Sequence, residues 1–215
     1  LIGSDVSSRY TRRNRAEYRK IAGYIARCVW QRQGNYMVFF PSYRLMEDVL
    51  QVYEEEFSVD WVRCVCQTPD MTEQEREGFL EEFQEREGTL VGFCVLGGIF
   101  SEGVDLTGES LIGAVIVGTG LPQIGSQREI LKEYYDKKNH CGFDYAYRYP
   151  GMNKVLQAAG RVIRTKEDKG VILLLDDRFW DRDYQEIFPR EWQDRTGCRL
   201  DTVEGAVETF WKRFT

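Results

Sequence analysis

Short, nearly continuous apolar runs alternate along this chain with stretches that have helical periodicity. Five such runs are rich in β-branched and aromatic residues, at positions 36–40, 61–66, 90–96, 114–117 and 171–175. Runs without polar alternation are typical of strands buried on both faces of a sheet. Helix-like segments lie between and beside them, at positions 13–33, 45–57, 72–87, 126–135 and 151–165. This order predicts an α/β fold with one parallel sheet and helices on both faces.

Composition limits the remaining possibilities. The 215 residues are 42% hydrophobic and 30% charged, which fits one globular domain spanning residues 1–215. No apolar run approaches the ~20 residues of a membrane helix, so we expect no membrane partner. The net charge of −6 argues against a protein that coats nucleic acid, but allows a local nucleic-acid groove. Six cysteines without CxxC spacing and a single histidine predict no metal or iron–sulfur site and a reducing, cytoplasmic compartment.

The loop after the first apolar run carries Ser42 and Tyr43. Ligands of parallel sheets bind beyond the carboxyl ends of the strands, so this loop is a candidate site. Ser42 is a favourable helix N-cap, and that structural role alone would explain it. A hydroxyl and free amides at a helix start also suit a phosphate, and Tyr43 suits a nucleobase.

The loop after the third run is unusually rich in glycine and acid. It contains Gly98, Ser101, Glu102, Gly103 and Asp105. Turn formation and helix capping explain such residues without any function. Alternatively, the two carboxylates accept hydrogen bonds from arginines or a ribose, or order a water molecule.

Two phosphate-binding signatures are absent from the sequence. The loop Gly118-Thr119-Gly120-Leu121-Pro122 lacks the third glycine of a dinucleotide fingerprint, and its proline interrupts the turn. We therefore predict an ordinary loop there. No G-x-x-x-x-G-K-[ST] occurs anywhere, so the chain has no P-loop of its own.

Residues 157–164 combine an amide with two arginines. On a helix that continues to residue 165, Gln157, Arg161 and Arg164 share one face and suit a polyphosphate. Gly160 removes a side chain beside them, so that another surface can approach. The same spacing turns a second set inward, namely Val155, Ala159 and Val162. The alternative is a solvated helix face with surface ion pairs. If the arginines act across a domain interface, they should be solvent-exposed in this chain alone.

These segments resemble the motifs of superfamily 2 helicases of the DinG/XPD branch. Residues 157–164 match motif VI, Q-x-x-G-R-x-x-R, and residues 101–105 match motif V, S-E-G-[IV]-D. Residues 34–43 resemble the motif IV strand and loop, and Leu121-Pro122 matches the dipeptide after motif V. Residues 171–179 resemble the strand and the Asp-x-Arg-[FY] ending that follow motif VI. The matches come in the order found in the family.

The resemblance implies the second RecA-like domain of an ATP-dependent DNA helicase. ATP and Mg²⁺ would be held mainly by a first, N-terminal helicase domain outside this chain, and that part of the protein could also carry a 4Fe–4S cluster. The sequence does not begin with Met, as expected for a piece of a longer chain. We expect the isolated piece to be monomeric and inactive.

The resemblance also assigns roles to the candidate residues. Catalytic roles in ATP hydrolysis fall to Arg161 and Arg164 as arginine fingers and to Gln157, which positions water or phosphate. The nucleotide side of the site would include Gly160, Glu102, Gly103 and Asp105. Contacts to single-stranded DNA would come from Ser42, Tyr43, Gly98 and Ser101.

Two other classes of function compete with this interpretation. A RecA-like domain without a P-loop could be a non-enzymatic interaction module, although a scaffold needs neither arginine of residues 157–164. A dinucleotide-dependent enzyme is disfavoured by the incomplete glycine fingerprint. A P-loop and a DEAH-type box upstream in the parent gene would favour the helicase, and their absence would favour the module.

Overall fold

One parallel sheet organises the molecule. A computed structural model describes residues 1–84, 88–100, 111–163 and 165–214. Within these residues seven strands form a single sheet in the order β3-β4-β2-β5-β6-β1-β7, and every neighbouring pair is parallel. The strands are β1 (Ile2–Gly3), β2 (Asn35–Phe40), β3 (Val62–Cys66), β4 (Thr89–Val95), β5 (Gly113–Val117), β6 (Val171–Leu175) and β7 (Gly197–Cys198). The five predicted strands are confirmed as β2 to β6. The other two have only two residues each, too few for a hydrophobic pattern to reveal.

Helices cover both faces of the sheet, as predicted. They are α1 (Arg15–Val29), α2 (Tyr43–Glu56), α3 (Glu73–Glu82), α4 (Ser126–Asn139), α5 (Tyr149–Ala159), α6 (Arg182–Gln185) and α7 (Val203–Trp211). Buried side chains of α1, α2 and α7 form one core with the sheet. Those of α3 and α5 form the second core on the other face. No helix in the described ranges is long and apolar enough to cross a membrane.

Because the strands are parallel, the sheet has two chemically different edges. The carboxyl edge carries the loops that follow Phe40, Cys66, Val95, Val117 and Leu175. The amino edge carries the segments that enter the strands. Each helix that joins two parallel strands returns from the carboxyl edge to the amino edge. With 11 residues, α5 spans about 16 Å in that direction.

The end of α5 differs from the prediction. The helix ends at Ala159 rather than at residue 165, and Gly160 is its C-cap. Glycine has low helix propensity, and the chain tightens here into i→i+3 bonds. The Arg161 amide donates to the Ala158 carbonyl at 3.3 Å, and the Val162 amide donates to the Ala159 carbonyl at 3.1 Å. Arg161 therefore lies on a turn after the helix and not on a continuous helical stripe.

Candidate functional site

The turn that ends α5 lies at the amino edge of the sheet. Val162 is buried there, and a Cβ built on Gly170, just before β6, would lie 2.2 Å from its side chain. Val162 also lines a cavity of about 440 Å³ together with Gly34, before β2, and Ile112, before β5. The predicted inward set is confirmed, since Val155, Ala159 and Val162 are at most 3% exposed. Because these three side chains face the core, Gln157 and Gly160 face solvent.

Gly160 has a backbone conformation that does not require glycine. Its φ of −64° is an ordinary right-handed value that any residue adopts. Among the described residues, a Cβ built there would meet the Leu156 carbonyl oxygen at 3.2 Å and the Gln157 carbonyl oxygen at 3.6 Å, both from its own helix. The position is exposed, as is Gln157. The lack of a side chain at this exposed position is compatible with the close approach of another surface.

The exposure expected for the two arginines is only partly supported. Arg161 is half-buried, and it is engaged with other groups of the chain. The expectation of a solvent-exposed Arg161 is therefore wrong. Arg164 lies outside the described residues.

At the carboxyl edge, Ser42 begins α2 as predicted. Its side chain accepts a hydrogen bond from the Leu45 amide at 3.4 Å, and its backbone is extended. Tyr43 follows as the first helical residue and is half-buried. Burial raises the pKa of Tyr43, so its hydroxyl stays protonated at neutral pH.

Gln67 joins three loops of the carboxyl edge, and the sequence interpretation missed it. Its side-chain amide donates to the Tyr43 hydroxyl at 3.0 Å, while its carbonyl oxygen accepts from the Val95 amide at 3.0 Å. Gln67 is 3% exposed, so both bonds are shielded from water. The available signal was its position as the first polar residue after the run at 61–66. Ligands of parallel sheets bind beyond the carboxyl ends of the strands, and Gln67 occupies such a position.

The turn after β4 is packed against α5. Gly97 has a φ of +71°, which favours glycine, and a Cβ there would lie 2.8 Å from Lys154 Cε and 3.0 Å from its Nζ. A Cβ on Gly98 would lie 3.1 Å from Gln67 Nε2. Lys154, three residues before Gln157, is thus a second residue that the sequence interpretation missed. It places a cation beside the loop that leads to residue 101.

Four predicted residues of that loop lie outside the described residues: Ser101, Glu102, Gly103 and Asp105. Phe100 precedes these residues and stacks on Phe79 with ring centroids 4.2 Å apart. Leu111 follows them and lines the same cavity as Val162.

The loop after β5 has the ordinary structure that the broken fingerprint predicts. Gly118 and Gly120 have φ values of +83° and +67°, and a Cβ on Gly120 would lie 2.6 Å from the Gly151 carbonyl oxygen. These glycines allow the start of α5 to pack directly on the loop. Packing explains them without a dinucleotide.

A buried ionic network lies at the carboxyl edge, directly after β6. Asp176 is fully buried and accepts hydrogen bonds from Arg178 Nε at 2.7 Å and from the Ser8 amide at 3.0 Å. Arg178 also donates to the Ser8 hydroxyl at 3.1 Å. Burial opposes ionisation of Asp176, but the bonds from Arg178 and Ser8 outweigh it and hold the pKa of that carboxyl below its usual value. The network fixes the segment that follows β1 onto the end of β6.

The predicted site residues thus form two groups rather than one. Ser42, Tyr43 and Gly98 lie at the carboxyl edge, whereas Gln157 and Arg161 lie at the amino edge. Arg161 lies seven residues, about 10 Å along the helix axis, beyond Lys154, whose side chain contacts Gly97. The described members therefore do not form a single pocket, and the emphasis on carboxyl-end loops does not apply to residues 157–161. Two groups at opposite edges are suited to contact two different ligands.

Comparison with known proteins gives a consistent result. A model of the helicase C-terminal domain family matches residues 25–195. The ATP-dependent DNA helicase XPD of Sulfolobus acidocaldarius is 30% identical over 189 residues, covering 83% of this chain and 31% of that protein. The regulator of telomere elongation helicase 1 homolog of Drosophila persimilis is 28% identical over 178 residues, covering 76% of this chain and 17% of that protein. The chain thus spans less than a third of the length of these relatives.

Solved structures show the same similarity. An XPD helicase structure superposes with a TM-score of 0.74 at 25% identity, covering 92% of this chain and 34% of that chain. The parallel α/β sheet predicted from the apolar runs and the RecA-like architecture implied by the family resemblance are both confirmed.

Proposed function

This chain belongs to the helicase C-terminal domain family, and from that premise we propose that it is the second motor domain of an ATP-dependent DNA helicase of the XPD/DinG type. The observation that carries the proposal is the surface at residues 157–161. Gln157 and Gly160 are exposed beside Arg161 on a buried support, and the backbone conformation at position 160 does not require glycine. A surface composed in this way is best explained by a ligand or domain that approaches it.

ATP would bind between this surface and a first motor domain that holds most of the nucleotide and its Mg²⁺. Arg161 and Arg164 would then contact the γ-phosphate and stabilise the charge that develops during its transfer to water. Arginine fingers of this kind contribute about 10³- to 10⁵-fold in rate. Gln157 would orient the attacking water, and Gly160 would leave room for the opposing domain. Glu102, Gly103 and Asp105 are assigned to the same nucleotide site.

Single-stranded DNA would bind at the carboxyl edge. Ser42 and Tyr43 lie at the start of α2, and Gly98 and Ser101 belong to the neighbouring loop, so together they would follow a sugar–phosphate backbone. The helix α5 connects this edge to the nucleotide surface, because its Lys154 contacts Gly97 and its end carries Gln157. Movement of the nucleotide surface on hydrolysis would thus reach the DNA contacts through a rigid element.

The proposal is tested with Arg164→Ala in the complete protein. We expect ATP turnover at saturating single-stranded DNA to fall at least 10³-fold, while nucleotide affinity stays within a few-fold, because the finger acts on the transition state. Arg182→Ala is a matched control, since Arg182 is 89% exposed and pairs only with Glu186 in the described part of the chain. Unchanged turnover in Arg164→Ala would contradict the proposal and favour an interaction module.

The isolated chain supplies a second test. Without the first domain it is expected to hydrolyse no ATP, with or without DNA. DNA-stimulated hydrolysis by the purified chain would show that it holds a complete nucleotide site, contrary to the proposal.

A further inference from the structure

A short basic turn projects from the carboxyl edge between β1 and α1. The basic turn is residues 9–13, Arg9-Tyr10-Thr11-Arg12-Arg13, and its centre forms a 3-10 turn over Tyr10–Arg12. It carries three arginines and no acid in a chain whose net charge is −6. Residues 9–12 are exposed and Arg13 is half-buried.

The basic turn is anchored at both ends by buried groups. Before it, Ser8 donates its amide and its hydroxyl to the fully buried Asp176. The Ser7 amide donates to the Glu17 carboxylate at 2.6 Å, and Glu17 is only 5% exposed. After it, Asn14 caps α1 by accepting from the Glu17 amide at 3.0 Å. A short segment held in this way loses little conformational entropy when it binds a partner.

The basic turn lies beside the proposed DNA contacts. A Cβ built on Gly118 would lie 2.6 Å from Ser8 Oγ and 3.6 Å from Pro41 Cγ, so the start of the turn adjoins the Pro41–Ser42 loop. Burial and the Asp48 hydrogen bond raise the pKa of Tyr18, while the nearby charges of Arg13 and Arg44 oppose that shift. Arg13 and Arg44 are thus both close enough to the Tyr18 hydroxyl to influence it.

The charges of the basic turn remain available to an anion. Arg9 meets Asp177 at 3.2 Å with both side chains more than a third exposed, and Arg12 meets Glu17 at 3.4 Å while half exposed. The Arg9–Asp177 pair is exposed on both sides, so it is weak and readily exchanged for a phosphate contact. Arg12 reaches the buried Glu17 through Nη2 and leaves about half of its side chain exposed to an anion. Arg13 donates to the Ser8 carbonyl and lies 5.5 Å from the centre of the Tyr10 ring. Neither of these partners carries a negative charge.

Tyr10 is the least expected residue of the basic turn. It is 83% exposed, although a ring of this size usually loses most of its surface on folding. An isolated exposed tyrosine needs no explanation. This one stands on an anchored turn among three guanidinium groups, and stacking platforms surrounded by cations are characteristic of proteins that bind single-stranded nucleic acid.

We propose that the basic turn is an additional contact site for single-stranded DNA, with Tyr10 stacking on a base and Arg12 and Arg13 binding phosphates. The inference rests on the proposed function, since it extends the surface of Ser42 and Tyr43 across the end of β5. The contact is independent of sequence, because every base offers a stacking face and every nucleotide a phosphate. It also explains how an acidic domain holds an anionic strand, through a local rather than a global positive charge.

The test measures the affinity of the complete protein for fluorescein-labelled oligo(dT) by anisotropy over a range of salt concentrations. Tyr10→Ala is expected to weaken binding roughly 5- to 150-fold, and Tyr10→Phe, which keeps the ring, should restore most of it. Arg12→Ala/Arg13→Ala should lower the slope of log affinity against log salt by about 1.4, the value for two lost contacts to a single strand. Thermal melting shows that each variant is folded.

Matched controls come from the opposite edge. Trp61→Ala removes a ring that is 43% exposed before β3, and Lys212→Ala/Arg213→Ala removes two adjacent cations near the end of the chain. Neither should change oligo(dT) affinity more than twofold. If Tyr43→Ala weakens binding while Tyr10→Ala does not, the basic turn is not a contact site although the proposed function stands. If the wild-type protein binds neither oligo(dT) nor oligo(rU), both proposals fail, and oligo(rU) binding alone would assign the surface to RNA.

Discussion

The two edges of the sheet are built differently. At the carboxyl edge, polar side chains are buried and bind one another, as in the Gln67–Tyr43 and Asp176–Arg178 pairs. At the amino edge, Gln157 and Gly160 are exposed, and the glycine has an ordinary right-handed backbone conformation. Substitutions at the first edge should therefore cost stability, whereas those at the second should cost function alone. The unfolding free energies of variants at the two edges test this difference.

Asp176→Asn should have the largest effect, about 3 kcal/mol. Removing one member of a buried ion pair leaves the other charge uncompensated, at a cost of roughly 3–5 kcal/mol. The lower end applies because the Arg178 side chain is 18% exposed. Chemical denaturation gives the value. Asp177→Asn is the matched control, since Asp177 is 38% exposed and should cost less than about 1 kcal/mol. Equal costs for the two substitutions would contradict the assignment of a buried network.

The carboxyl group of Asp176 predicts that the unfolding free energy depends on pH in the acidic range. Its pKa in the folded protein lies below the ordinary value of 3.8, so its contribution is fully present above that pH. It is lost as the pH falls through the folded pKa. Denaturation between pH 2 and pH 5 should thus show a steeper loss of stability for the wild type than for Asp176→Asn. Parallel curves would show that Asp176 is not stabilised as the carboxylate.

Two glycines give a matched comparison between the edges. Gly120→Ala places a Cβ 2.6 Å from the Gly151 carbonyl oxygen at a φ of +67°, so it should cost roughly 2 kcal/mol. Gly160→Ala gains helix propensity, and among the described residues its Cβ would meet the Leu156 carbonyl oxygen at 3.2 Å and the Gln157 carbonyl oxygen at 3.6 Å, so it should stay within about 0.5 kcal/mol of the wild type. Thermal or chemical unfolding checks both. A large loss for Gly160→Ala would show that the fold itself requires this glycine.

Gln67→Leu should cost about 1–2 kcal/mol, between the two glycines. It leaves the buried Val95 amide without its acceptor, and such a loss costs roughly 1–3 kcal/mol. Tyr43→Phe removes only the hydroxyl end of the same link and should cost less. If Gln67 also positions the strand contacts, Gln67→Leu should weaken oligo(dT) binding even though Gln67 is 3% exposed. Unchanged binding would limit its role to stability.

Hydrophobic pattern alone was enough to predict the central strands and the two helical layers. Uninterrupted apolar runs have few alternatives to a doubly covered parallel sheet, and β2 to β6 follow them closely. The end of α5 was mispredicted because Val162 is buried at helical spacing although it lies on a turn. On the tight turn after the C-cap glycine, Val162 still faces the core as it would on a helix. The hydrophobic periodicity therefore continues past the helix end and does not reveal it.

The candidate site was predicted less completely than the fold. The placement of residues 157–161 at the amino edge follows from parallel topology, because a helix between parallel strands must return there. The sequence interpretation instead searched the loops at the carboxyl ends of the strands, where ligands of parallel sheets usually bind. Gln67 and Lys154 act through long side chains toward other loops. Single residues of this kind carry no motif, and only the three-dimensional arrangement reveals their partners.

The central claim is that the two edges serve two ligands, and one paired measurement tests it most directly. ATP turnover at saturating oligo(dT) and oligo(dT) affinity are measured for Arg161→Ala and Tyr43→Ala in the complete protein. We predict that Arg161→Ala loses at least 10³-fold in turnover and keeps its DNA affinity, because the finger contacts only the nucleotide. Tyr43→Ala should weaken DNA binding and recover turnover as oligo(dT) is raised. Loss of DNA affinity in Arg161→Ala, with turnover unchanged, would contradict the account.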